Sequence, residues 1–161
     1  MSEMLELVAH LPEVHVGAGD VLCEQGGDGG PLWVLVAGEL TVTKHGQVVG
    51  TIGRPGAVIG EVAVLLGTSH GATVTARERS TLRFADDGAA LLRSEPAITT
   101  HVAAGLAERL EFVSTYLADL KHQYGDAPGL AMIEAVVTEL PEKKPAGGGD
   151  PHGHPPGGMD Y

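Results

Sequence analysis

The chain has 161 residues, of which 43% are hydrophobic, and a formal net charge of −11. This length suits one domain with a real core, and the acidic balance argues against nucleic-acid binding, because neutralising phosphates requires clustered cations. The sequence contains no run of ~18 apolar residues and no signal-peptide pattern, so we expect a cytoplasmic protein without membrane segments. Cys23 is the single cysteine of the chain, so we expect no disulfide within it.

The first half of the chain is predicted to be mainly β. Residues 3–10 form a short apolar helix candidate, and from Val14 to about Phe84 short β-prone runs are separated by glycines. This spacing is typical of an all-β barrel or sandwich. A hairpin is predicted where Gly46 separates two of these runs. The predicted strands are residues 14–16, 21–23, 32–36, 39–44, 48–52, 57–59, 72–76 and 81–84.

After Phe84 the apolar period becomes helical. Asp86-Asp87 is interpreted as a helix cap, not as a catalytic pair, ahead of a short helix at residues 89–93. Pro96 then opens a long helix with apolar residues at alternating spacings of four and three, which predicts an a/d seam and a homodimer. The seam consists of Leu106, Leu110, Val113, Leu117, Leu120 and Tyr124, of which the first five are taken as the dimer contact.

The C-terminal part of the chain is predicted to be a separate, smaller element. A glycine-rich break follows Tyr124, and residues 130–140 form a short amphipathic helix candidate. Residues 141–161 are rich in Gly, Pro and His, have no apolar period, and are expected to be disordered. The expected division is therefore 1–124, 125–140 and 141–161.

Two motifs carry a resemblance to a known family. Residues 59–74 read Ile-Gly-Glu-Val-Ala-Val-Leu-Leu-Gly-Thr-Ser-His-Gly-Ala-Thr-Val, in which a Gly-Glu pair, a short apolar helix and a polar loop make an anion-binding layout. This stretch resembles the phosphate-binding cassette of cyclic-nucleotide-binding domains, as in catabolite activator-type regulators and protein kinase A regulatory subunits. Residues 25–39 resemble a second signature of that family, with Trp33 where Tyr or Phe is typical.

The resemblance covers roughly residues 5–124 and implies a fold. It implies a mainly β protein with flanking helices, in which a jelly-roll-like β-barrel of the cyclic-nucleotide-binding type precedes a long dimerisation helix. The resemblance to catabolite activator-type regulators suggests a bacterial protein. In those regulators the sensory domain is followed by a winged helix-turn-helix. About 16 residues between the helix break and the tail are too few for that motif.

The same resemblance implies a binding site for cAMP or cGMP. Glu61 matches the glutamate that accepts the ribose 2′-hydroxyl, although it could equally cap the backbone donors of its own loop. Thr73 either contacts the phosphate or starts a strand. The long helix would present Ser114 to the base, beside Val113, which cannot hydrogen-bond. The full set of candidate ligand-binding residues is Gly60, Glu61, Val62, Ala63, His70, Gly71, Ala72, Thr73 and Ser114.

One departure from the family pattern weakens this site. The phosphate-binding arginine falls on His70, and the proline before it falls on Ser69. Histidine lacks the permanent charge and planar fork of arginine, so bidentate phosphate recognition is lost. His70 is then either a pH-dependent donor or a surface loop histidine without a ligand.

Two functions follow from this balance. The first is a stand-alone regulatory module that senses a cyclic nucleotide weakly, or a related anion. The alternative is a degenerate domain that acts as a dimeric scaffold for a protein partner. No enzyme activity, cofactor or metal site is expected, because the sequence offers neither a readable catalytic arrangement nor a metal-ligand spacing, and Cys23 is expected to be a small buried residue.

Overall fold

The computed structural model describes residues 2–125, which fall into a first unit up to Arg109 and a second unit from Leu110 onward. In chain order the described elements are α1 Glu3–Leu7, β1 Glu13–Val16, β2 Val21–Cys23, β3 Leu32–Ala37, β4 Leu40–Lys44, β5 Gln47–Ile52, β6 Val58–Ile59, α2 Glu61–Leu66, β7 Thr73–Ala76, β8 Ser80–Ala85, α3 Gly88–Ser94 and α4 Pro96–Tyr124. The predicted order of strands and helices is therefore confirmed as far as Tyr124.

The first unit contains two antiparallel sheets of four strands each. One sheet has the order β1-β8-β3-β6 and the other the order β2-β7-β4-β5. The sheets are not closed into a continuous barrel, so the predicted barrel-type fold takes the form of two sheets with flanking helices. Register shifts in the pairs β2–β7, β3–β8 and β4–β5 bend the strands.

Strand β3 shows why this sequence buries both faces of its sheet. Successive side chains of a strand point to opposite faces, and the apolar run from Leu32 to Leu35 supplies both. Leu32 and Val34 join a core with residues of α1, α3 and α4, whereas Leu35 joins a second core between the sheets, against which Trp33 packs. The continuous apolar run thus serves a central strand covered by helices on one side.

The predicted hairpin lies between β4 and β5. Lys44 pairs with Gln47, and the two loop residues have positive φ, 50° at His45 and 74° at Gly46. Positive φ at both positions is typical of the type I′ turn that suits the strand twist. The Gly46 signal in the sequence therefore identified a real turn.

Local sequence signals determine where α3 begins and where α4 ends. Asp87 accepts a hydrogen bond from Ala90 N at 2.9 Å, which confirms its interpretation as a helix cap. Gly125, with φ 66°, donates to Lys121 O at 2.9 Å after the end of α4. The prediction of one helix over residues 3–10 was too long, because α1 ends at Leu7 and turns toward Pro12.

The apolar row on α4 is only partly exposed. In the first unit, Leu106 packs against the core that contains Leu32. In the second unit, Leu117 is buried, whereas Leu110 and Val113 are exposed. The predicted homodimer stays a prediction, and its exposed candidates are fewer than the row suggested.

The predictions for residues 130–140 and 141–161 lie outside the described residues. Among residues 2–125, none of the helices combines the length and apolar character needed to cross a membrane.

Candidate functional site

The site is built around the segment of residues 60–73, which joins β6 to β7 through α2. Gly60 precedes α2 with φ 91°, a conformation that favours glycine. A Cβ atom at this position would lie 2.7 Å from Pro31 O and 3.4 Å from the Trp33 ring. Glycine at position 60 is therefore a steric requirement, and Glu61 follows it as the first residue of the helix.

Glu61 is a buried charged residue, with 3% of its surface exposed. Its Oε1 forms an ion pair and hydrogen bond with Nη2 of Arg109, which lies on α4 in the same unit. A carboxylate is costly to bury unless it is paired. The pair therefore gives the buried carboxyl group a partner, and the start of a helix is also a favourable place for an acidic side chain.

Arg109 is a functional candidate that the sequence analysis missed. It lies 48 residues after Glu61, between apolar residues of the long helix. Lys and Arg together number 10 in the chain. This scarcity of cationic residues was the signal in the sequence that could have pointed to Arg109. Its position one helical turn before Val113 placed it on the face that the resemblance assigned to the ligand.

His70 does not lie on the surface. It is 6% exposed, and its ring centroid is 6.1 Å from that of Trp33, at an interplanar angle of 45°. Its backbone N donates to Gly27 O at 2.9 Å, and its carbonyl accepts from Gly26 N at 2.8 Å. The alternative of a surface loop histidine was therefore wrong, because the loop folds back against the glycine-rich corner and buries the ring.

Thr73 begins β7 and ties the segment to a neighbouring corner. Its Oγ1 accepts a hydrogen bond from Gln25 N at 2.9 Å. The Gln25 side chain in turn accepts from His45 N at 2.9 Å and donates to His45 Nδ1 at 3.1 Å. A hydroxyl that accepts one bond can still donate another, so Thr73 can serve the strand and a ligand together.

The pKa of the Cys23 thiol depends on its burial and on the nearby charge of Glu61. Burial raises the pKa of its thiol, a hydrogen bond from the Val74 backbone lowers it, and the negative charge of Glu61 raises it again. The thiol is therefore held in its neutral form, and its Sγ lies 4.0 Å from Ala72 O. This agrees with the prediction of a small buried residue.

The remaining candidates divide by exposure. Ala63 is buried and Gly60 and Ala72 are half-buried, whereas Val62 and Gly71 are exposed. Ser114 is half-buried and belongs to the second unit, so its assignment to the base stays a prediction. Within residues 2–125, three or more His, Cys, Asp or Glu side chains do not converge at any point as a metal site would require.

This arrangement suits a small anion that carries a hydroxyl group. The first turn of α2 has backbone N–H groups without intrahelical acceptors, Glu61 offers a carboxylate acceptor, and Thr73 offers a hydroxyl. Arg109 adds a permanent cation beside Glu61. A negatively charged ligand with a sugar hydroxyl would satisfy acceptor and donors together.

The chain is similar to proteins of one known family. The family described as cyclic nucleotide-binding domain has a model that matches residues 13–93. The cGMP-dependent protein kinase egl-4 of Caenorhabditis elegans is 35% identical over 74 residues, which are 46% of this chain and 9% of the kinase. The matched stretch is therefore a small part of that relative.

Solved structures show the same fold. The catabolite activator protein of Thermus thermophilus aligns with a TM-score of 0.61 and 25% identity, over 75% of this chain and 60% of that one. The N-terminal domain of a transcriptional regulator from Streptomyces coelicolor A3(2) aligns with a TM-score of 0.51 and 26% identity, over 70% of this chain and 86% of that one.

Proposed function

Because the chain belongs to the cyclic nucleotide-binding domain family, we propose that its segment 60–73 binds cAMP or cGMP, and that binding regulates a cytoplasmic partner and does not serve catalysis. The observation that carries the proposal is the buried Glu61 at the start of α2. Replacing a buried ion pair with well-packed apolar residues is often neutral or stabilising, so a buried carboxylate is weak evidence for a role in stability. Its presence here supports a role as acceptor for a ligand hydroxyl.

The affinity is proposed to be weak. The residue at the position of the phosphate-binding arginine is His70, whose ring is packed beside Trp33. Imidazole in this place cannot supply the planar bidentate fork of a guanidinium. Binding then depends on Glu61, on backbone donors and on the Thr73 hydroxyl.

A thermal-shift measurement tests this function. The full chain is melted with cAMP, with cGMP, and with 5′-AMP as the acyclic control. A ligand at 100 times its Kd stabilises the folded state by about 2.7 kcal/mol, which raises Tm by several degrees. We expect a shift with at least one cyclic nucleotide and less with 5′-AMP.

A matched pair of variants locates the site. Glu61→Ala should abolish the shift, whereas Glu39→Ala should retain it, because Glu39 forms an ion pair with Arg77 elsewhere in the first unit, where its side chain is more exposed. No shift with either cyclic nucleotide at millimolar concentration would remove the proposed function. A shift that survives Glu61→Ala would place the ligand at another site.

The second candidate is a dimeric scaffold that has lost its nucleotide. The observation in its favour is the group of exposed large apolar side chains in the second unit, Leu110, Phe112, Val113 and Tyr116. Single exposed apolar residues are ordinary, but a contiguous group marks interaction surfaces. Association measured by light scattering, together with no thermal shift, would favour this function over sensing.

A further inference from the structure

Segment 60–73 contains no Lys or Arg that could bind an anionic phosphate. A cyclic phosphate is anionic, the chain has a net charge of −11, and Glu61 adds a buried negative charge at the place where the ligand would sit. His70, the residue at the expected cationic position, is packed beside Trp33. Charge-assisted hydrogen bonds hold a phosphate more strongly than neutral ones, so a cation from elsewhere in the fold would strengthen the site.

Arg109 is placed to supply that cation. Its Nη2 is held by Glu61 Oε1, yet 60% of its side chain is exposed, against 5% for Glu61. The carboxylate thus fixes one nitrogen of the guanidinium while much of the remaining group faces solvent. A guanidinium is permanently charged and planar, and it carries more N–H donors than one carboxylate oxygen can satisfy.

The chemistry of the ligand brings its phosphate to this group. In a 3′,5′-cyclic nucleotide the 2′-hydroxyl and the phosphate-bearing 3′-oxygen are on adjacent ribose carbons. A nucleotide that donates its 2′-hydroxyl to Glu61 from the side of the attached guanidinium therefore carries its phosphate beside that group. Arg109 supplies that guanidinium.

We propose that Arg109 is the phosphate-contacting residue of this site and takes over the role of the missing arginine at position 70. The inference rests on the proposed function and deepens it, because it assigns the permanent cation of the site to α4, since the loop at residues 67–72 carries no Lys or Arg. Glu61 then has two tasks, to accept the ribose hydroxyl and to hold the guanidinium in place.

The test must separate contact with the phosphate from an effect transmitted through Glu61. Binding to the full chain is measured by competition against a fluorescent cAMP analogue, with cAMP and 2′-deoxy-cAMP as the two probes. The second probe keeps the phosphate but lacks the hydroxyl that Glu61 accepts. Arg109→Gln is compared with Arg77→Gln, a matched control whose side chain is also 60% exposed and paired with a glutamate.

If Arg109 contacts the phosphate, Arg109→Gln should weaken both probes by about ten- to a hundredfold, the size expected for a hydrogen bond to a charged group. Arg77→Gln should leave both unchanged. Arg109→Lys, which keeps the charge without the fork, should weaken both by about tenfold. It also carries the comparison if Arg109→Gln does not give the cooperative melting of the unsubstituted chain.

Two results would overturn the inference while leaving the proposed function intact. One is a loss confined to cAMP, with 2′-deoxy-cAMP unchanged, since Arg109 would then act only by positioning Glu61. The other is no loss for either probe. If the unsubstituted chain binds neither probe, the proposed function fails and the inference fails with it.

Discussion

The segment 60–73 and the second unit of the chain depart from a plain stable fold in opposite ways. The segment hides polar side chains, with Glu61 paired to Arg109 and His70 packed against Trp33. The described part of the second unit instead leaves large apolar side chains in solvent, and Phe112 and Tyr116 stack on each other with ring centroids 6.5 Å apart.

Each departure costs free energy in the isolated chain. Burying a charged group requires a partner, and exposing apolar surface forfeits about 25 cal/mol for every Å² left in water. Costs of this kind are expected where a ligand or a partner provides the missing interaction. The contrast therefore supports the proposal of small-anion binding in the first region and favours protein contact in the second.

The largest expected effect is a loss of stability from a substitution in the backbone turn of segment 60–73. Gly60→Ala places a Cβ against Pro31 O in a residue with φ 91°. Strain and clash together should cost about 2–4 kcal/mol and lower Tm by roughly 10 °C or more. Gly50→Ala is the control, since a Cβ there meets no heavy atom within 4 Å. Equal melting temperatures for the two variants would contradict the steric requirement at Gly60.

The second prediction concerns association through the exposed apolar side chains of the second unit. Leu110→Glu with Val113→Glu should dissociate a homodimer by about a hundredfold or more, because a dimer would bury the added charges. Leu117 is avoided, since it is buried in the single chain and its replacement would test folding instead. Val48→Glu with Val49→Glu is the control on exposed β5 positions. Size-exclusion chromatography with light scattering reads the result, and a monomeric unsubstituted chain would end the dimer interpretation.

The third prediction sharpens the polar region. His70→Arg restores a charged fork at the loop and should tighten cAMP binding by about ten- to a hundredfold. The gain requires the new side chain to leave the Trp33 contact, so a small loss of Tm is expected alongside it. Calorimetry measures the affinity. Unchanged binding would indicate that the loop at residue 70 does not face the phosphate.

The smallest effect concerns the proton on Cys23. Its pKa is raised above the ordinary 9.0, mainly by burial and further by the charge of Glu61. The folded thiol therefore keeps its proton where the unfolded thiol loses it, and stability should fall as pH rises above about 9, by at most about 1.4 kcal/mol per pH unit. Denaturant unfolding at about pH 8 and 10 should show a smaller decline for Cys23→Ala. Identical declines would mean that the thiol does not titrate differently on folding.

Local patterns were sufficient for the fold but not for the site. Glycines and apolar runs placed the strands because each signal acts within a few residues, as in the His45-Gly46 turn. The burial of His70 depends on Trp33 and the Gly26–Gly27 corner, which are distant along the chain. Arg109 reaches Glu61 across 48 residues. Periodicity places side chains on a face of an element, but it does not identify the groups opposite that face.

The Gln25 side chain links the candidate site to the tip of a hairpin. It accepts from His45 N in the exposed β4–β5 turn, while its own backbone N donates to Thr73 Oγ1. The amide hydrogen of a turn residue ordinarily exchanges with solvent as fast as the turn frays. Here the exchange of His45 would follow the opening of the corner at Gln25, so a probe at the hairpin tip would report on the strand start at Thr73.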